Sequence, residues 1–183
     1  MLFRSASSNT AVGYQSGYSN TTGATNAYLG YQAGYSNSTS NNNTAVGQAA
    51  LYTNTGGSNT AVGAAALYLN TTGGSNVGLG LQALYSNTTA SENTAVGYQS
   101  LYSNTTGAEN TGMGYGALRS TTTSSWNAGF GAYALYSNTT GAYNTAFGAQ
   151  TLQSNTTASQ NTAVGYQAGY TMTTNSEIGR AHV

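Results

Sequence analysis

The chain contains no cysteine and no proline among its 183 residues. Without cysteine there are no disulfide staples and no thiolate metal sites. Charge is nearly absent as well: 3% of residues are charged, where about 25% is usual, and formal net charge is zero. A neutral chain offers no electrostatic footprint for nucleic acid or an anionic membrane. No apolar run approaches the roughly 20 residues of a membrane-spanning helix, so no membrane insertion is expected. Aspartate is missing, and the acids are Glu92, Glu109 and Glu177. The single histidine, His182, has no partner from which to build a triad or a metal ligand set. No catalytic residue, metal ligand or cofactor is therefore expected.

What is present is repetition. Aligning on Asn-x-x-apolar-Gly gives ten starts, at Asn9, Asn26, Asn43, Asn59, Asn76, Asn93, Asn110, Asn127, Asn144 and Asn161. Each step is 17 residues except Asn43 to Asn59, which is 16. The missing residue falls in the polar stretch Thr53–Ser58, where a turn can absorb it. Disordered linkers do not hold such a register, so an ordered repeat architecture is expected.

Comparing the copies shows what each place demands. Position 1 is always Asn, and position 4 is always large and apolar, as in Val12, Leu29 and Phe130. Position 5 is always Gly: Gly13, Gly30, Gly47, Gly63, Gly80, Gly97, Gly114, Gly131, Gly148 and Gly165. Position 8 is small, and position 9 is Leu or Gly. Position 10 is Tyr18, Tyr35, Tyr52, Tyr68, Tyr85, Tyr102, Tyr136 and Tyr170, with Arg119 and Gln153 as exceptions. Positions 11 to 17 carry the Ser, Asn, Thr and Gly of turns.

Seventeen residues hold two strand-length pieces and their corners. We expect an all-β chain, a β-solenoid or β-roll of ten coils stacked about 4.8 Å apart, roughly 50 Å long. One helical turn is the alternative for the second segment, Tyr-Gln-Ala-Leu-Tyr. Stacked coils place like on like. The position-1 asparagines should form an amide ladder and the position-10 tyrosines an aromatic column. The position-5 glycines should serve a positive-φ corner or a close backbone approach. Each coil is expected to bury two large apolar side chains, worth about 1.5–3 kcal/mol each. Ordering its residues costs on the order of 1–2 kcal/mol apiece. That balance points to a homotrimer, with a monomeric solenoid as the alternative.

Several rows invite functional readings. Glu92 and Glu109 occupy position 17 of consecutive copies, and are expected to splay into solvent rather than form an acid–base pair or a cation bridge. Gly112, Gly114 and Gly116 lack the strand-to-helix context of a nucleotide loop. Asn-x-Ser/Thr triplets start at Asn20, Asn37, Asn42, Asn70, Asn87, Asn104, Asn138 and Asn155. They read as recurring turns before they read as glycosylation acceptors. The position-10 tyrosines are candidate glycan contacts if exposed. Threonine rows at positions 2, 13 and 14 admit an ice-binding face, although Thr-x-Thr does not recur in every coil.

The chain divides into an N-terminal end (1–8), the repeats (9–176) and a tail (177–183). The tail, Glu177-Ile178-Gly179-Arg180-Ala181-His182-Val183, abandons the repeat and looks like a translated sequencing adapter. Native sequence is expected to stop near Ser176, as a piece of a longer environmental gene.

The unit Asn-Thr-Ala-Val-Gly-Tyr-Gln-[Ala/Ser]-Leu-Tyr-Ser-Asn-Thr-Thr-Gly resembles repeats of phage tail-fibre shafts and bacterial surface proteins. Through Asn-x-Ala-Val-Gly, at Asn9–Gly13, Asn93–Gly97 and Asn161–Gly165, it is distantly similar to the head repeats of trimeric autotransporter adhesins. Its period is longer than theirs. The resemblance implies an extracellular fibrous role, on a virion or a bacterial surface, contacting a host glycan or protein receptor.

Overall fold

The computed structural model describes residues 8–174, which form a β-solenoid with one short strand per coil. The strands are β1 (Thr10–Val12), β2 (Ala27–Leu29), β3 (Thr44–Val46), β4 (Thr60–Val62) and β5 (Val77–Leu79). They continue as β6 (Thr94–Val96), β7 (Thr111–Met113), β8 (Ala128–Phe130), β9 (Thr145–Phe147) and β10 (Thr162–Val164). All ten pair in parallel, in sequence order, in a single sheet. The expected all-β solenoid is what forms, and among the described residues there is no helix. The tail at 177–183, and the N-terminal end apart from Ser8, lie outside the described residues.

Two residue types limit the strand to positions 2 to 4. Asn closes one end and Gly turns the other. The position-5 glycines have φ of +123 to +143°, where an L side chain is strained. A Cβ added at any of them from Gly13 to Gly148 would lie 2.4 to 2.7 Å from the backbone of the next coil's glycine. Both expected reasons for Gly hold at once.

The second segment is neither strand nor helical turn. It is a run of turns with left-handed backbone at positions 7 and 9, seen at Gln99 (φ 51°) and Leu101 (φ 53°). A β-turn closes positions 5 to 8, the Ser100 N–H donating to Gly97 O at 3.4 Å. A second closes positions 9 to 12, the Asn104 N–H donating to Leu101 O at 3.2 Å. Other N–H groups of the segment reach neighbouring coils. Gln99 donates to Leu81 O, and Leu101 to Ala117 O, each at 3.0 Å. A helix would have spent these groups within the segment.

The core is narrow. Ala at positions 3 and 8 and Leu at position 9 line it, and Leu51, Leu67, Leu84, Leu101, Leu118, Leu135 and Leu152 are fully buried. A left-handed Leu costs about 1–2 kcal/mol, which the burial of its side chain, about 1.5–3 kcal/mol, offsets. That backbone also explains why Gly replaces Leu there. In the second coil Tyr28 takes position 3, and a Cβ on Gly34 (φ +63°) would lie 2.5 Å from its ring. Tyr28 fills the leucine's space, its hydroxyl accepts from Asn37 Nδ2, and burial pushes its pKa up to about 12.

One expectation fails. Each coil buries one large apolar side chain at most, because position 4 faces out. Val12, Leu29, Val62, Met113, Phe147 and Val164 are 39–59% exposed, and Val46, Leu79, Val96 and Phe130 are half-buried. Side chains alternate along a strand, so the small residue at position 3 points in and its neighbours at 2 and 4 point away.

The short coil keeps register. β3 and β4 pair Thr44 with Thr60, and Asn70 Nδ2 still reaches Asn54 Oδ1 at 2.6 Å. The omitted residue is the exposed threonine of position 14, within the turn expected to absorb it.

Candidate functional site

Lengthwise columns of side chains are the recurring chemistry of the described residues. The position-1 asparagines, buried from Asn26 to Asn161, form the expected ladder in a mixed form. Each backbone N–H in that series donates to Oδ1 of the preceding coil's asparagine at 2.7–3.0 Å. The amide Nδ2 of Asn76 turns to a carbonyl of its own coil, Ala90 O, at 2.8 Å, and that of Asn93 to Gly107 O at 2.9 Å.

Position 12 carries a second ladder. Asn70, Asn87 and Asn104 each donate Nδ2 to Oδ1 of the asparagine one coil earlier, at 2.6, 2.7 and 2.9 Å, and Asn155 donates to Asn138 at 2.9 Å. Their second Nδ2 hydrogen goes to the same small-residue carbonyl that position 1 uses: Ala90 O accepts from both Asn76 and Asn87. These are the asparagines of the Asn-x-Ser/Thr triplets. Asn37, Asn70, Asn87, Asn104, Asn138 and Asn155 are completely buried and Asn20 nearly so, which removes them as glycosylation acceptors in the folded chain. Asn42, at position 17, is exposed. The signal was present in the sequence, since Asn recurs at position 12 almost as regularly as at position 1. It was masked by turn-like neighbours.

Three interruptions of this ladder strand a side-chain carbonyl oxygen, whereas between the second and third coils Asn37 Oδ1 accepts from Ser40 Oγ instead. Thr121 replaces Asn in the seventh coil, and both its hydroxyl and Asn104 Oδ1 are buried without a partner. Met172 replaces it in the tenth, and Asn155 Oδ1 is left likewise. In the second coil Asn37 gives its amide to Tyr28, and Asn20 makes no hydrogen bond from either side-chain atom.

The position-10 column is continuous from Tyr18 through Tyr35, Tyr52, Tyr68 and Tyr85 to Tyr102. Ring centroids are 5.0–5.3 Å apart and planes within 4–13°. Arg119 then takes the ring's place. Its guanidinium carbon lies 5.2 Å from the Tyr102 centroid and 5.7 Å from that of Tyr136, and its Nε donates to Gln99 Oε1 at 3.0 Å. A flat cation stacks where a ring would, through cation–π attraction. Inner rings of the run have a neighbouring ring against each face. Gln153 ends the column, and Tyr170 is exposed.

The remaining rows are outside. Glu92 and Glu109 are both exposed, and Glu109 Oε2 accepts from Trp126 Nε1 in the following coil at 2.8 Å. Trp126 stacks on Tyr143 at 5.0 Å. Position-13 threonine hydroxyls are spent between coils, as Thr88 Oγ1 on Thr105 O at 3.0 Å. The position-2 row is broken by Ala27, Val77 and Ala128. Gly112, Gly114 and Gly116 fall in a strand, a corner and a turn. No three His, Cys, Asp or Glu side chains among the described residues are grouped to hold a metal ion, and no helix there is long and apolar enough to cross a membrane. His182 lies outside the described residues.

No family model, curated protein or solved structure matches this chain.

Proposed function

We propose that the chain is a structural and adhesive segment of an extracellular fibre, such as a tail-fibre shaft or the head of a surface adhesin, and that it performs no catalysis. The observation that carries this reading is the spending of side-chain chemistry on neighbouring coils. Asparagine amides, tyrosine faces and threonine hydroxyls each bond or stack on the coil above or below. Such a coil is a building element for length, and a rod holds whatever it bears at a set distance from a surface. Near-absence of charge fits the same use, since like charges would stack along with everything else.

In this reading three copies run side by side, and the outer rows meet a host glycan or protein receptor. A sugar reaching the position-10 column would meet ring edges and hydroxyls more than ring faces. The test combines light scattering with small-angle scattering of residues 8–174. A rod roughly 50 Å long with the mass of three chains is expected. A monomer at micromolar concentration would sink the assembly. Glycan-array binding lost on Tyr68→Ala would make the tyrosine column the adhesive row.

A further inference from the structure

The outward position-4 side chains make a column with no polar gap: Val12, Leu29, Val46, Val62, Leu79, Val96, Met113, Phe130, Phe147 and Val164. Two residues further along, exposed Tyr14, Tyr31, Leu81, Tyr98, Tyr115 and Tyr166 widen it in six coils, with Gln48, Ala64, Ala132 and Ala149 at that place in the other four. On its other side runs position 2, which is Thr, Ala or Val throughout. No charged residue occupies any of these three rows. From first strand to last the stripe is about 45 Å long, and its two strand rows lie about 7 Å apart before the chain turns at the position-5 glycine. The strand face alone covers on the order of 300 Å², a contiguous patch of the size that marks interaction sites, and the position-6 side chains beyond the corner add to it toward the roughly 800 Å² per partner of a stable interface.

We propose that this stripe is the seam on which a second copy of the chain docks, parallel and in register, so that each coil meets the same coil of its neighbour. The occupant follows from the period. A rigid partner that touches the stripe along its whole length must repeat with the rise of one coil, and another copy of this stripe does. Register then matches automatically, including past the 16-residue coil, because both copies shorten at the same place. Side by side, Phe130 and Phe147, already 5.7 Å apart within one chain, would join their counterparts in one aromatic cluster. The missing charge has a second reason here: a Lys or Glu in these rows would be buried against its own copy. The inference rests on the fibre reading for the direction of the copies.

The absence of cysteine makes the test clean. Single variants Val12→Cys, Val96→Cys and Val164→Cys are oxidised mildly beside Thr106→Cys, which lies on the exposed polar turn. Each position-4 variant is expected to link to itself, and Thr106→Cys is not. Phe130→Lys should weaken assembly at least tenfold with the circular dichroism of the fold intact, while Thr106→Lys leaves assembly unchanged. Links at Thr106 but not at position 4, in a protein that still assembles, overturn the seam and leave the fibre reading standing. Val12→Cys linking only to Val164→Cys overturns the parallel register. A monomer in every assay overturns both readings.

Discussion

The sixth coil, Asn93–Glu109, and the seventh, Asn110–Trp126, share the position-1 asparagine, the glycine corner and the buried leucine, and two of the positions at which they differ interrupt stacked columns. In the sixth, Tyr102 continues the aromatic column and Asn104 the inner amide ladder. In the seventh, Arg119 and Thr121 stand in their places. The column tolerates its exchange, because a guanidinium is as flat as a ring and lies at the half-open surface. The ladder does not, because its atoms are sealed from water and a threonine hydroxyl cannot span the coil spacing. A stacked column is as forgiving as its access to solvent.

Substitutions in the two coils can break or sharpen that contrast. The largest effect is expected where they agree: Gly97→Ala and Gly114→Ala force a Cβ to 2.5 Å from the next coil's backbone. Each should cost more than about 3 kcal/mol in denaturant unfolding, and equally in both coils. Next come the asparagines. Asn87→Ala removes three hydrogen bonds, whereas Asn104→Ala removes two and relieves an oxygen already stranded. Asn87→Ala should therefore be the costlier, by about 1 kcal/mol, and equal losses would contradict the ladder account. Thr121→Asn should repair the break and raise stability by about 1–2 kcal/mol, read as a higher melting temperature. The smallest change is Arg119→Tyr, expected to stabilise by roughly 0.5–1 kcal/mol through ring stacking, with the gain insensitive to salt.

Much of the fold is legible in the sequence. Asn at position 1 and Gly at position 5 fixed the period, the strand and the corner, since an invariant residue in a stacked repeat must satisfy its own copy above and below. The tyrosine column followed from the same rule. The direction of position 4 did not. A large apolar residue in every copy reads as core, and only the inward turn of the small residue at position 3 sends it outside. Position 12 was hidden for the opposite reason, as Asn within Ser-Asn-Thr-Thr has the composition of an exposed turn while sitting fully buried at Asn87 and Asn104.

By itself, then, the sequence determined which residues stack on which once coils form, because a fixed period sets each residue against its own copy in the next coil. Which face is core and which is surface was decided only by the tertiary structure. That choice depends on backbone dihedrals, left-handed at Leu101 and near +130° at Gly97. They turn alternate side chains in or out, and composition carries no record of that turn.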